Sequence, residues 1–287
     1  MTLIGTFRDM PNAEYHDNPA IGSSGLKLRQ QSPQHYWARD LDPKRERKDP
    51  TPAMKIGTAW HAAIFEPGKF ADDYVQIPEG LNRTTKEGKA LWADILATGK
   101  EPMTKDDMDR IKAMAASAAA HPVTRVIFEQ AGAAAEVSFF WADPFTGAAC
   151  KIRPDFYVPP CALFPNGLLV DGKTGEDMSP AGFSKYAWNW ELHIQAAFYS
   201  DGFQHLHGTK EPPAFVWMGQ EKDAPYCTAY YSAGADFVAY GRKLYRRLLA
   251  TYAACTETGQ WPGYPPIVQP LELPTWAAKT VADAIAA

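Results

Sequence analysis

No apolar run in the sequence approaches the roughly 20 residues that cross a bilayer, and the polar N-terminus carries no leader pattern, so a soluble, cytoplasmic protein with no membrane partner is expected. Cysteine is scarce and dispersed: Cys150, Cys161, Cys227 and Cys255 form no C-x-x-C pair. That spacing argues against a zinc ribbon, an iron–sulfur cluster or a disulfide framework, and suits a reducing compartment. A basic excess is missing too. With 29 Lys and Arg against 33 Asp and Glu the formal charge is −4, which disfavours a passive nucleic-acid coat. It leaves a DNA-processing enzyme open, because such an enzyme concentrates carboxylates at its metal and confines positive potential to a channel. There is no internal repeat, and 287 residues bury one substantial core or at most two small ones.

What is present reads as one α/β domain over 1–287, mainly helical over 1–130, with a catalytic sheet core and a C-terminal helix over 131–287. Residues 1–20 hold turn formers and aromatics. Ser23-Ser24-Gly25 caps a short helix towards Gln31, and Ser32-Pro33 restarts a helix through Trp37. Asp42–Pro52 is a charged, Pro-flanked loop containing Lys44-Arg45-Glu46-Arg47-Lys48, either solvated or a DNA-backbone contact. From Lys55 to Phe65 an apolar stripe (Ile56, Ala59, Trp60, Ala63, Ile64) marks a helix. Asp72–Thr85 is loop or short strand, and Lys86–Thr98 and Thr104–Ala120 are helices. Asp106 and Asp107 sit in the first turn of the second, where acids suit the dipole. Then the pattern changes. Glu136–Trp141 is a strand, residues 143–147 a hairpin loop, Ala148–Val158 its return strand and Gly167–Thr174 a third strand. A helix from Ser179-Pro180 to about Gly202 follows, then strands Ala214–Met218 and Tyr226–Tyr231 and a long helix Ala235–Thr258.

Two acids and a lysine carry the chemistry. Alternation along the return strand puts Lys151, Arg153, Asp155 and Tyr157 on one face, opposite Cys150, Ile152, Pro154, Phe156 and Val158. In the third strand Leu168 and Val170 face one way, Asp171 and Lys173 the other, about 7 Å apart along the strand. Phosphodiester hydrolysis needs such a set. A hard cation takes oxygen ligands and acidifies a bound water, while a nearby ammonium positions or deprotonates that water and stabilises charge. Alone, D-x-K is weak and reads first as a surface ion pair on a strand end; the apolar lead-in, the preceding hairpin with another Asp and the following helix shift the reading towards a site. On the following helix Gln195 and Tyr199 share a face at i and i+4. They orient phosphate or metal-bound water, or else are a surface glutamine and a core tyrosine. His61, mid-helix, is a packing residue or a neutral imidazole ligand completing the site of Asp155 and Asp171.

Together these elements resemble the RecB-like branch of the PD-(D/E)xK nucleases. Gly57-Thr58-Ala59-Trp60-His61 resembles its G-T-x-x-H element, Asp155 in Arg153-Pro154-Asp155-Phe156 its middle aspartate, Asp171-Gly172-Lys173 its D-x-K, and Gln195-Ala196-Ala197-Phe198-Tyr199 its Q-x-x-x-Y. Over most of its length the chain is similar to RecE-type phage exonucleases, the exonuclease VIII group, through Met10–His16, Ser32–Tyr36, Arg83–Lys89 and Trp261–Tyr264. The resemblance implies a restriction-endonuclease-like core, a mixed central sheet flanked by helices, with a helical N-terminal portion. It implies Mg²⁺, with Mn²⁺ as a substitute, held by His61, Asp155 and Asp171, with Lys173 catalytic alongside the two aspartates and Gln195 and Tyr199 supporting them. Glu136 stands outside that set, as a candidate for a second ion only. Implied too are 5′-to-3′ degradation of linear duplex DNA from its ends, 3′ overhangs for a RecT-type annealing protein, and a ring-shaped homo-oligomer, a tetramer. A structure-specific or nicking endonuclease and a non-catalytic DNA-binding protein on the same fold are the alternatives. Gly172 replaces the bulkier apolar residue common inside D-x-K, a departure expected to loosen the strand. Lys27, Arg29, Arg83 and Lys86 are basic residues in plausible places for DNA-end contacts.

Overall fold

The computed structural model describes residues 3–46, 49–274 and 277; Arg47 and Lys48, part of the charged run, lie outside them. In chain order the strands are β1 (Gly5–Phe7), β2 (Tyr74–Gln76), β3 (Glu101–Met103), β4 (Ala134–Ala135), β5 (Ser138–Ala142), β6 (Ala149–Ile152), β7 (Phe156–Val158), β8 (Leu168–Gly175), β9 (Ala214–Glu221) and β10 (Thr228–Ser232). A five-stranded mixed sheet runs β10-β9-β8-β7-β4, a three-stranded sheet β1-β5-β6, and β2 and β3 form a parallel pair. At the centre, β8 pairs in parallel with β9 over its full length, from Leu168 opposite Ala214 to Gly175 opposite Glu221. Its antiparallel pairing with β7 stops at Val170 opposite Phe156. Beyond that point one edge of β8 is open.

The apolar residues of this sheet explain its layers. Leu168, Val170, Phe156, Val158 and Met218 pack against Trp60, Ile64 and Phe65 of the Pro52–Phe65 helix and Met114 and Ala118 of the Lys105–Ala120 helix. On the other face Leu169, Tyr157, Phe215 and Trp217 meet the Leu192–His207 and Ala235–Thr258 helices. Each such side chain contributes roughly 1.5–3 kcal/mol by leaving water. The helix starts are chemically marked: Thr51 accepts from the Met54 N–H ahead of Pro52, Thr104 from Asp107, and Ser179 from Gly182 ahead of Pro180.

The structure departs from the sequence pattern at several points. Ala148–Val158 is two strands, because Pro154 has no N–H for a ladder. β6 ends at Ile152, β7 begins at Phe156, and Asp155 lies in the bend between them. The opposing strand breaks at the matching place: Glu136 adopts a left-handed backbone, φ 52°, between β4 and β5. Its N–H donates to the Asp155 carbonyl at 3.2 Å. The hairpin therefore turns a corner from one sheet into the other. The alternation slips with it, so that Tyr157 shares a core with Cys150 and Ile152 while Phe156 and Val158 join the opposite one. Likewise the helix expected over 179–202 is two, Pro180–Asn189 and Leu192–His207, divided at Glu191, φ 52°. Residues 1–20 include β1, which pairs with β5, and a helix Asn12–Asp17; Asp72–Thr85 contains β2 after an unforeseen helix Pro67–Asp73.

Gly172 does not loosen its strand. A Cβ at this position would stand 2.8 Å and 2.9 Å from the Trp60 ring and 3.0 Å from Phe65. The missing side chain is the space that Trp60 fills, bringing the helix that carries His61 onto β8. Gly172→Val should therefore destabilise the fold by about 1–3 kcal/mol through overpacking, measured by urea denaturation. Wild-type stability in that variant would disprove the close fit.

Candidate active site

Four segments meet where β8 loses its β7 neighbour. Extending the β7–β8 register one step places Asp155 opposite Asp171. With no strand to accept it there, the Gly172 N–H donates to Asp155 Oδ2. His61, from the helix against the sheet, lies with Nδ1 3.3 Å from the same oxygen. On the other side of β8 the Asp171 carboxylate accepts from Lys173 Nζ through one oxygen and from the Gln195 amide through the other. Lys173 Nζ also lies 3.3 Å from the Gly172 carbonyl. Tyr199 does not touch these acids; its hydroxyl donates to the Arg153 carbonyl at 3.3 Å. It steadies the bend that carries Asp155. Gln195 and Tyr199 are both buried, so neither is a surface residue.

The structure thus brings His61 into contact with Asp155, and Asp171 into contact with Lys173 and Gln195, across one peptide unit. As they stand, no three His, Cys, Asp or Glu side chains among the described residues converge closely enough to clasp an ion. The Asp171 oxygens are already taken by Lys173 and Gln195.

Electrostatics explains the tension in this arrangement. Burial raises the Asp171 carboxyl, and the neighbouring Asp155 charge adds to the rise, which Lys173 offsets only in part. For Asp155 burial also acts upward, but His61, Lys173 and the Gly172 N–H outweigh it and hold the group ionised. Burial by itself would lower His61, yet the Asp155 charge and hydrogen bond overcome it and favour the imidazolium. Lys173 is raised in the same way by Asp171 and Asp155 against its own burial. Glu136, at the corner, is pushed up to about 7 by burial and by the Asp155 charge. The Asp155 charge destabilises the Asp171 carboxylate beside it, a repulsion that a divalent cation held between the two would relieve.

Sequence reasoning missed Arg153 as the anchor of the corner. Buried, it donates to Ser138 Oγ at 2.8 Å and to the Met10 carbonyl at 3.0 Å, lies 3.7 Å from Glu136, and stacks on Tyr15. Its place on the polar face of the predicted return strand was the available signal. Of the four basic residues singled out for DNA, Arg29 is buried against the rings of Tyr36, Tyr252 and Trp261 and so is removed from any substrate. Arg83 stacks on Trp92 and Lys86 is exposed. Only Lys27 feels the charges of Lys173 and Asp171.

The raised Glu136 value fixes a sign. Between the ordinary carboxylate range and about pH 7 the folded chain keeps a proton that the unfolded chain has released, so folding stability falls as pH rises through that window. Glu136→Gln removes this loss. In EDTA, the stability difference between variant and wild type should move in the variant's favour from pH 5 to pH 8. A pH-independent difference would show that the carboxyl titrates alike in both states.

Comparison with known proteins places this geometry. The family model for the PDDEXK-like domain of unknown function DUF3799 matches residues 22–269. The crystal structure of a candidate exonuclease from Eubacterium rectale aligns with a TM-score of 0.60 over 95% of this chain and 96% of that one. Sequence identity is 15%, so this likeness speaks for the fold alone. The structure of SSO0001 aligns at a TM-score of 0.30 and 11% identity, over 68% of this chain and 84% of that one, too little to carry an argument. No curated protein matches the sequence. The matched span runs from Gly22 to Gln269 and takes in His61, Asp155, Asp171, Lys173, Gln195 and Tyr199. The chain belongs to the PDDEXK-like family DUF3799.

Proposed function

We propose that this protein is a magnesium-dependent exodeoxyribonuclease that degrades linear double-stranded DNA from its ends, 5′ to 3′, leaving 3′ single-stranded overhangs. The observation that carries the reading is the meeting of Asp155, Asp171, Lys173 and His61 at the open edge of β8. The family and the fold support nuclease chemistry. Direction, ring-shaped assembly and hand-over to a RecT-type annealing protein rest on the likeness of the sequence motifs to RecE-type exonucleases.

His61, Asp155 and Asp171 would hold the ion, a donor set of carboxylate oxygens and an imidazole nitrogen. Bound magnesium supplies Lewis-acid polarisation of the phosphate and acidification of a water. For Asp171 to serve as a ligand its pair with Lys173 must open, which frees the ammonium for the reacting phosphate. Lys173, which the two aspartates favour in its protonated form, would donate hydrogen bonds and stabilise negative charge on the phosphate. Gln195 keeps the Asp171 carboxylate oriented. Tyr199 fixes the Arg153 backbone two residues from Asp155.

End-labelled linear duplex with Mg²⁺ should be shortened to nucleotides, and closed circular DNA should survive. Lys173→Ala should lower the rate at least about a hundredfold, with circular dichroism unchanged. Equal cleavage by that variant would reject the mechanism, and equal attack on circles would make the protein an endonuclease.

Ion binding has its own signature. His61 is held as an imidazolium by Asp155 and must lose its proton to ligate. Affinity for Mn²⁺, measured by calorimetry, should therefore rise with pH through the His61 titration, by up to about tenfold per pH unit for each proton released. His61→Asn should flatten that dependence; an unchanged slope would remove His61 from the ligand set.

A further inference from the structure

Beside the site lies an aromatic surface that hydrolysis does not use. The Pro180–Asn189 helix ends in Trp190, whose side chain is 62% exposed. An exposed indole by itself needs no partner; what sets Trp190 apart is what stands around it. Its ring lies 6.0 Å from that of Tyr186, one turn back on the same helix. Tyr186 in turn stacks with Phe183, which is buried in the core, so the row is rigidly seated. The position of Trp190 is set from both sides. Its carbonyl accepts from Lys27 Nζ at 2.8 Å. The next residue, Glu191, holds a left-handed turn and accepts from Gln30.

The row lies next to the catalytic groups: the helix that starts at Leu192, two residues after Trp190, sets Gln195 on Asp171. The charges of Lys173 and Asp171 act on Tyr186 and on Lys27 alike. Around Trp190, then, a second ring, Tyr186, and one ammonium group, Lys27, lie together. Glu191 accepts from Gln30 and lies near enough to Lys27 for their charges to interact.

Resting on the nuclease reading, we propose that Tyr186 and Trp190 form a stacking platform for unpaired bases of a single DNA strand entering or leaving the site, with Lys27 facing its backbone. Intact duplex hides the faces of its bases, whereas a strand separated for hydrolysis exposes them. Aromatic rings interleaved with cations are the chemistry that binds such a strand without sequence preference.

The test is fluorescence anisotropy of labelled oligo(dT) on the full chain in EDTA, where nothing is cleaved. Trp190→Ala should weaken binding by about tenfold, the effect of losing one base–ring stack, and Trp190→Phe should keep most of it. Trp188→Ala serves as a control, since that ring packs on Tyr240 and His193 instead, and its binding should match wild type. Unchanged binding in Trp190→Ala, equal loss in Trp188→Ala, or no oligo(dT) binding by wild type would overturn the proposal. So would dissociation of a wild-type oligomer in Trp190→Ala by light scattering, which would make the surface a contact between copies of the chain. Cleavage of linear duplex with Mg²⁺ is measured in parallel. A wild type that cleaves while Trp190→Ala binds normally sinks the platform alone, and a wild type that binds but cleaves nothing sinks the nuclease reading alone.

Discussion

Two neighbouring aspartates, Asp171 buried and Asp155 half-buried, beside the central strand of an apolar sheet set the terms for the rest of the molecule. Ionised carboxylates are expensive to desolvate, and two together repel. Each nearby polar feature answers that problem. The Gly172 N–H and the His61 imidazole meet Asp155, while Lys173 and the Gln195 amide meet Asp171. The compensation is incomplete, as the raised Asp171 and Glu136 carboxyls record. A fold selected only for stability would have put apolar residues here. Retaining the acids makes physical sense where a cation and a phosphate pass through.

The corner at Glu136 and Arg153–Asp155 is the structural device that makes the arrangement possible. Had the hairpin run straight, β7 would have continued along β8 and paired the Gly172 N–H with backbone. Ending it at Phe156 leaves a donor for a carboxylate and opens one edge of the strand. The corner itself is expensive: Glu136 sits in the left-handed region that favours glycine. Arg153 secures it with bonds to Ser138 and to the Met10 carbonyl, and the Tyr199 hydroxyl adds a third tie from the helix behind. Such backbone strain persists only where surrounding contacts over-determine it.

Much of this was legible from the sequence, and the failures have a common cause. β8 and its neighbours carry their apolar alternation openly, so the placing of Leu168 and Val170 opposite Asp171 and Lys173 followed from period alone. The Lys105–Ala120 helix follows its Thr104 cap. Period fails where a strand changes sheets, because alternation continues formally through Pro154 while the chain turns. It fails again at Glu191, where one left-handed residue splits a helix without a glycine to announce it. Gly172 shows the third limit. Its reason lies in the Trp60 ring, more than a hundred residues away in sequence, and no local pattern contains that contact. Arg29, basic and near the N-terminus, likewise looked like a DNA contact until the rings of Tyr252 and Trp261 closed over it.

These long-range fits bear on how a chain of net charge −4 handles a polyanion. Of the cations nearest the acids, Lys173 is engaged by Asp171, His61 by Asp155 and Arg153 by the corner, so none of these three presents a free charge in the resting arrangement. On the proposed mechanism, a metal ion held by the carboxylates would add positive potential at the site and free Lys173 from Asp171. Attraction for the phosphate would then be switched on by the same event that prepares the chemistry. An acidic nuclease built this way would avoid holding duplex DNA along its surface and would keep its affinity for the place where a backbone is to be cut.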